Sequence, residues 1–226
     1  MSALTGQLAA ENRGFDCNQS LTADAAARFA AAGYRFVIRY VRRTTAHPFD
    51  ISADELQTLH AAGLAVMLVQ HVAAPGWEPT AALGSEYGAT AAAEAAAAGY
   101  PEGASLWCDL EGVATNAPAE DVVAFCNAWY DATNQAGFRP GLYVGDCCGL
   151  TPSQLYEELQ FSSFWSAYNL NLDNFPAVRG VQMRQSAYPP PERRVEGISF
   201  EYDEDVLELD SKGDMCTLAL PPAAVA

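Results

Sequence analysis

Two carboxylates separated by one residue, Asp109 and Glu111, end the apolar run Ser105-Leu-Trp-Cys-Asp-Leu-Glu-Gly112. Side chains alternate along a β-strand, so both acids point to one face, with Cα atoms about 6.5–7 Å apart. Paired carboxyl groups at this spacing suit general acid–base chemistry. A strand that simply emerges into water would carry the same pair, so the rest of the chain has to decide between the two. Acids close two other apolar runs. Asp16 ends Arg13-Gly-Phe-Asp-Cys17, and Glu201, Asp203 and Asp205 share one face of a run from Ile198 to Leu207.

The elements that must position these groups alternate. Predicted strands run over Arg13–Cys17, Phe36–Val41, Leu64–Val72, Ser105–Glu111, Gly141–Gly145, Phe164–Tyr168, Val181–Gln185 and Ile198–Leu207. Between them, helices are predicted over Ala23–Ala32, from the Ser52/Glu55 capping box to Ala62, over the alanine-rich stretch Thr80–Ala98, over Ala119–Gln135, and from Thr151-Pro152 onward. The low complexity of the alanine-rich helix points to close packing against a sheet. Strand–helix alternation ending in eight strands predicts a single (β/α)8 TIM-like barrel with reduced helices toward the C-terminus. It spans 1–226, with 1–12 and 218–226 as flanking tails. An open doubly wound sheet is the alternative fold, but no G-x-G-x-x-G follows the first strand, so dinucleotide binding has no support.

In such barrels, active sites lie at the C-terminal strand ends. Read in order, those ends carry Asp16, Arg39 with Tyr40, Gln70 with His71, Asp109 with Glu111, Tyr143 with Asp146, Trp165 with Tyr168, Gln182 with Gln185, and Glu201, Asp203 and Asp205. Acids from strands one, four and eight thus converge on one pocket, and the aromatic residues supply flat faces that suit sugar rings.

Composition narrows the function classes. The formal net charge of −16 over 226 residues argues against nucleic acid and against anionic lipid. No apolar run is long enough to span a bilayer, so membrane insertion is not expected. Met1 to Asn12 lack a basic-then-apolar pattern, so no Sec signal peptide is read. Synthesis in the cytoplasm followed by non-classical export or release is the expectation. Six cysteines form no C-x-x-C pair and no zinc spacing, and they are read as mostly reduced. No dedicated metal loop is visible, and neither a metal nor another cofactor is expected.

The motifs carry a resemblance. Gly14-Phe-Asp-Cys-Asn-Gln19 resembles the opening G-[IVF]-D-x-[SN]-x-x-Q of the family 25 glycoside hydrolases, the muramidases that cut peptidoglycan. Gln70-His-Val-Ala73 is similar to their third-strand Y-H-F-A, Trp107-Cys-Asp-Leu-Glu111 to their D-x-E, and Phe164-Trp-Ser-Ala-Tyr168 to L-W-I-A-x-Y. Val181-Gln-Met and the segment from Gly197 to Asp205 resemble their closing W-Q-[YF] and G-x-x-x-x-x-D-x-[ND]. Phe36-Val-Ile-Arg-Tyr40 and the alanine-rich helix look closer to a related set of bacterial glycoside-hydrolase-like barrels of unknown function.

The resemblance implies hydrolysis of the β-1,4 bond after N-acetylmuramic acid. It implies Glu111 as general acid, and Asp109 as the group that orients the substrate N-acetyl group or stabilises oxocarbenium charge. Asp16 and Asp203 would line the pocket and raise the Glu111 pKa by like-charge repulsion. Candidate substrate-binding residues are Arg39, His71, Tyr143, Trp165, Tyr168, Gln182 and Asp205. Arg39 pairing with a pocket acid and His71 in a structural role are the competing readings. Spacing leaves inversion and retention both open. The chain departs from the pattern at Val181, where the family has Trp, and in its three same-facing acids near strand eight, of which Asp203 is favoured. The partner expected is peptidoglycan or another glycan, within a secretion-system or phage setting. The alternative is a catalytically silent glycan-binding or structural barrel within such an assembly.

Overall fold

Continuous apolar runs buried on both faces are what a parallel sheet wrapped by helices requires, and here that sheet closes on itself. The computed structural model describes residues 4–170 and 180–222. Its strands are β1 (Leu4–Gly6), β2 (Arg13–Asp16), β3 (Phe36–Val41), β4 (Ala65–Gln70), β5 (Ser105–Leu110), β6 (Arg139–Val144), β7 (Phe164–Ser166), β8 (Val181–Ser186), β9 (Asp203–Leu207) and β10 (Leu218–Leu220). Its helices are α1 (Ala23–Ala31), α2 (Ala53–Ala61), α3 (Ala81–Ala97), α4 (Ala119–Gln135) and α5 (Pro152–Glu157). Strands β2 to β9 pair in sequence order and β9 returns to β2, giving a closed eight-stranded α/β barrel. Among the described residues, no helix is long and apolar enough to cross a membrane.

The eighth barrel strand departs from a strict (β/α)8 pattern. β9 runs antiparallel to both β8 and β2. A parallel crossover needs a dozen or more residues and usually a helix. The connection from β8 instead carries Pro189–Pro191 and one short 3-10 turn over Pro191–Arg193, so the chain turns back at the same end of the barrel. The acids of β9 therefore sit at the start of a strand, and Asp203 pairs in register with Asp16.

Both predicted tails are partly built into the sheet. β1 pairs with β10, and β10 pairs with β4 through Ala219 and Val66. Thr217 and Ser105 exchange two hydrogen bonds, Ser105 N to Thr217 O at 2.7 Å and Thr217 N to Ser105 Oγ at 2.9 Å. The barrel is closed below in this way, with Cys216 and Leu218 in the interior. Residues 1–3 and 223–226 of those tails, and 171–179 of the predicted loop before β8, lie outside the described residues.

Helix starts follow local chemistry. Thr22, Ser52, Thr80 and Thr151 each accept from the amide three residues on. The capping box is complete at Thr151 and Gln154 but half-formed at Ser52, because the Glu55 carboxylate turns to Leu21 N and Arg39. The alanine-rich α3 packs most closely on α4 rather than on the sheet. A Cβ at Gly84 would lie 2.2 Å from Phe125 O, and one at Gly88 would lie 2.8 Å from Trp129 O. Small residues there let two helix backbones touch.

The core has two parts. An outer shell between helices and sheet is built from residues such as Phe29, Leu59, Phe125 and Trp129. Inside the barrel, Phe36, Ile38, Met67, Trp107, Trp165, Met183 and Leu207 fill the lower and middle levels. Alternation along each strand then brings the next inward residue up to the open end, where the interior turns polar.

Candidate active site

At that open end, Asp16, Tyr40, Asp109, Glu111, Tyr143, Trp165, Tyr168, Gln185 and Asp203 line a cavity of about 330 Å³. Asp16 ends β2 and is buried. Tyr40 Oη donates to its Oδ1 at 3.0 Å and Gln185 Nε2 to its Oδ2 at 2.8 Å. Gln185 is itself held by Tyr143, whose hydroxyl donates to Gln185 Oε1 at 2.9 Å. Two pairs further down the β2–β9 ladder, Asp205 is fully enclosed. Trp165 Nε1 donates to its Oδ1 at 2.9 Å, while Oδ2 has no donor. Burial, and then the charge of Asp16, raise the Asp205 carboxyl well above the usual carboxylate range.

Asp109 faces inward from β5, in register with Tyr143. Its Oδ1 is buried without a partner. Glu111 follows the end of β5, with its backbone anchored by Trp77 Nε1 to Glu111 O at 2.9 Å and Gly112 N to Asp146 O at 2.9 Å. Its carboxyl fits because residue 145 is glycine. A Cβ there would lie 2.4 Å from Glu111 Oε2.

Crowding of acids in a poorly hydrated pocket shifts their proton affinities upward. Burial and the charge of Asp203 push Asp16 up to about 7, against the donors Gln185 and Tyr40. Burial, then Glu111 and Asp16, raise Asp109 well above the usual carboxylate range, and Arg43 opposes this. Burial and the neighbouring Asp146 raise Glu111. Burial and Glu201 raise Asp203. Asp146 is the neighbouring charge that raises Glu111, beside its mutual repulsion with Asp109. Such a pocket can deliver protons near neutral pH, and its aromatic floor and rim can pack against a ring. Among the described residues, no group of three or more His, Cys, Asp or Glu is placed to hold a metal ion.

The structure brings Asp16, Asp109, Glu111, Asp203, Tyr143, Trp165 and Tyr168 to the cavity, with Asp205 directly beneath it. Trp165 is buried and forms the floor, edge-on to Tyr143 at 4.5 Å and to Trp107 at 6.0 Å. Tyr168 is exposed and offers the open face.

Three expected residues lie elsewhere. Arg39 is on the outer face of β3, because Phe36, Ile38 and Tyr40 take the inner one. It is enclosed there, bonded to Glu55 at 2.8 Å, to Phe49 O at 2.8 Å and to Cys17 O. It pairs with no pocket acid. Gln182 sits at a bulge between β7 and β8. It points to the lower end, where its Nε2 donates to Asp210 Oδ2 at 3.0 Å. His71 lies just outside the pocket, stacked on Tyr40 at 4.8 Å, with Nε2 2.9 Å from Asp50 Oδ1.

Tyr40 and Gln185, read at the strand ends but not chosen as site residues, line the cavity, as does Asn169, which the sequence reading did not name. For Tyr40 the signal was present: two-residue alternation from Phe36 already excludes Arg39 from its face.

A family model for Rv2525c-like, glycoside hydrolase-like domains matches residues 27–190. Among solved structures, an uncharacterized B. stearothermophilus protein superposes with a TM-score of 0.64 at 19% identity, over 87% of this chain and 96% of that one. The Tat-secreted protein Rv2525c of Mycobacterium tuberculosis, in complex with L-tartrate, gives 0.62 at 18% identity, over 88% and 96%. A bacterial lysozyme from Streptomyces coelicolor gives 0.56 at 15% identity, over 87% and 92%. No curated protein sequence matches the chain.

Proposed function

We propose that this chain, which belongs to the family of Rv2525c-like, glycoside hydrolase-like domains, hydrolyses the β-1,4 glycan strand of peptidoglycan. The observation that carries the reading is the Asp109–Glu111 pair at one wall of an acidic, aromatic-floored pocket. Glu111 is the more open of the two and its pKa is raised, so it is suited to hold a proton at neutral pH and give it to the leaving glycosidic oxygen. Asp109, one alternation deeper, faces the reacting sugar from below. There it orients the N-acetyl group or balances oxocarbenium charge. Asp16, anchored by Tyr40 and Gln185, holds charge or proton opposite it. Tyr168 supplies a face for the sugar ring at the rim.

The test is digestion of purified peptidoglycan from several bacteria, with products read by mass spectrometry. Wild type is expected to release new reducing-end muropeptides, and Glu111→Gln to lower turnover about 10²–10⁴-fold while remaining folded. Retained turnover in Glu111→Gln would remove the assignment. Glycan binding by the folded wild type with no product from any wall would replace it with a binding barrel.

A further inference from the structure

The pairing between β4 and β5 covers only Leu68 with Leu106 and Val69 with Trp107. Above that level, at Cys108 and Asp109, no further register pair joins the two strands. The seam is closed by side chains instead. Gln70 spans it, donating to Arg42 O and Tyr87 O and accepting from Trp129 Nε1. Beside Gln70 a small cavity of about 10 Å³ remains, lined by Arg43, His71, Trp77, Tyr87, Cys108 and Asp109 among others. That volume is at the lower limit for admitting a single water molecule.

Two unpartnered groups meet there. Arg43 Nε and Nη1 are buried without an acceptor, and Asp109 Oδ1 is buried without a donor. Both residues line the same small cavity. The guanidinium lies over the Tyr87 ring, 5.4 Å from its centroid, which holds the cation at the seam. Buried polar groups of native proteins are almost always satisfied. Two complementary ones facing a water-sized space point to a shared bridge.

We propose that Arg43 is a positioning residue for Asp109, linked to Asp109 Oδ1 across the cavity between β4 and β5 by one bound water. The cation stands behind the pocket wall and touches no substrate. Its task is to fix the Asp109 carboxyl from the rear and to keep it able to ionise, where its other surroundings oppose ionisation. The groups facing Asp109 are Asp16 from β2, Tyr40 from β3, Tyr143 from β6, and Glu111 and Cys108 of its own segment. None of these is a cation. His71, on the β4 side of the cavity, is held toward its neutral form by burial, against the pull of Asp50. Arg43 is the charge that draws Asp109 downward.

The kinetic part of this inference rests on the glycosidase reading. The titration part does not. The Asp109 carboxyl is followed by carbon-13 NMR across pH and assigned by its loss in Asp109→Asn. Arg43→Met is expected to move the Asp109 midpoint upward, about tenfold or more in proton affinity. Arg43→Lys should restore part of the difference, and Asp205 should stay where it is. An unmoved Asp109 midpoint in folded Arg43→Met overturns the proposal, including the case where that variant merely loses stability. Should Arg43→Met not fold, the same readout in Arg43→Gln decides. On peptidoglycan, Arg43→Met is expected to lower kcat and displace the pH profile while KM holds; an unchanged profile counts against the role. A wild type that cleaves no glycan defeats the glycosidase reading alone, and the titration still judges Arg43.

Discussion

Glu204 and Asp205 are neighbours on β9, yet their side chains leave the barrel wall in opposite directions and meet opposite treatment. Outward, Glu204 receives Tyr34 Oη at 2.7 Å and Arg13 Nη2 at 2.5 Å. Against the pull of burial, these donors hold it below the usual carboxylate value. Inward, Asp205 has Trp165 as its one neutral donor, and burial with the charge of Asp16 drives it well above that value. The same contrast separates β3 from β5. Arg39 on the outside of β3 satisfies Glu55 and two carbonyls, while Asp109, inward from β5, keeps an oxygen with no direct donor. The outer charges are matched and serve as framework. The inner ones are acids with no directly bonded cation, an arrangement that costs stability and suits a site that handles protons or polar ligands.

The largest expected effect breaks the matched side. Arg39→Met leaves Glu55 buried without its cation, which typically costs about 3–5 kcal/mol. Denaturant unfolding measures it, and adding Glu55→Leu should recover much of the loss by removing the orphan. Asp205→Asn is expected to be near neutral or stabilising in the same assay, since it removes an acid that no cation faces. Equal losses at the two positions would dissolve the distinction between framework and site.

A second effect follows from the sign of the inner shifts. Asp16 ordinarily titrates at 3.8 and is raised to about 7 in the fold. Below the ordinary value, both folded and unfolded chains carry the proton and Asp16 costs nothing. Between there and about pH 7 the unfolded chain ionises while the folded one holds its proton, so stability falls as pH rises, and above that window the cost is complete. Asp16→Asn removes the term. The stability of wild type relative to Asp16→Asn should therefore drop by about 2–4 kcal/mol from pH 4 to pH 8. Taking the difference cancels His60 and His71, whose lowered values act in the opposite sense. A flat difference would mean that Asp16 is not the burdened acid.

The division between the faces also marks what could be read beforehand. Apolar runs and caps placed Phe36–Val41 and Ala119–Gln135 at their observed ends, because burial on both sides of a strand and a start after Pro118 are local properties. The D-x-E pair was legible from strand alternation alone. The reversal of β9 was not, because an apolar strand reads the same in either direction. Its signature was the missing helix in a proline-rich connection. The bulge at Gln182 was not legible either. One extra residue exchanged the faces of β8, sending Gln182 to the lower end and leaving Gln185 in the pocket. Arg39 misled because a strand buried on both faces tolerates a charge wherever a helix supplies a counter-ion, and Glu55 of α2 is far away in sequence.

The smallest effect sharpens the account of the inner side. Gln185 is the link between Tyr143 and Asp16, accepting from the Tyr143 hydroxyl and donating to the Asp16 carboxylate. Its amide favours the charged form of Asp16, so Gln185→Leu should push the Asp16 midpoint further above about 7. Its energetic effect should depend on pH. Where Asp16 is protonated, a neutral hydrogen bond worth about 1 kcal/mol is lost; where it is ionised, a charge-assisted one worth about 1.5–3 kcal/mol. The Asp16 carboxyl resonance and unfolding at pH 5 and pH 8 report both quantities. A midpoint that stays in place would mean that Asp205, not Gln185, sets the proton affinity of Asp16, and the pocket would then be organised around a carboxyl pair sharing one proton rather than around the Tyr143–Gln185 chain.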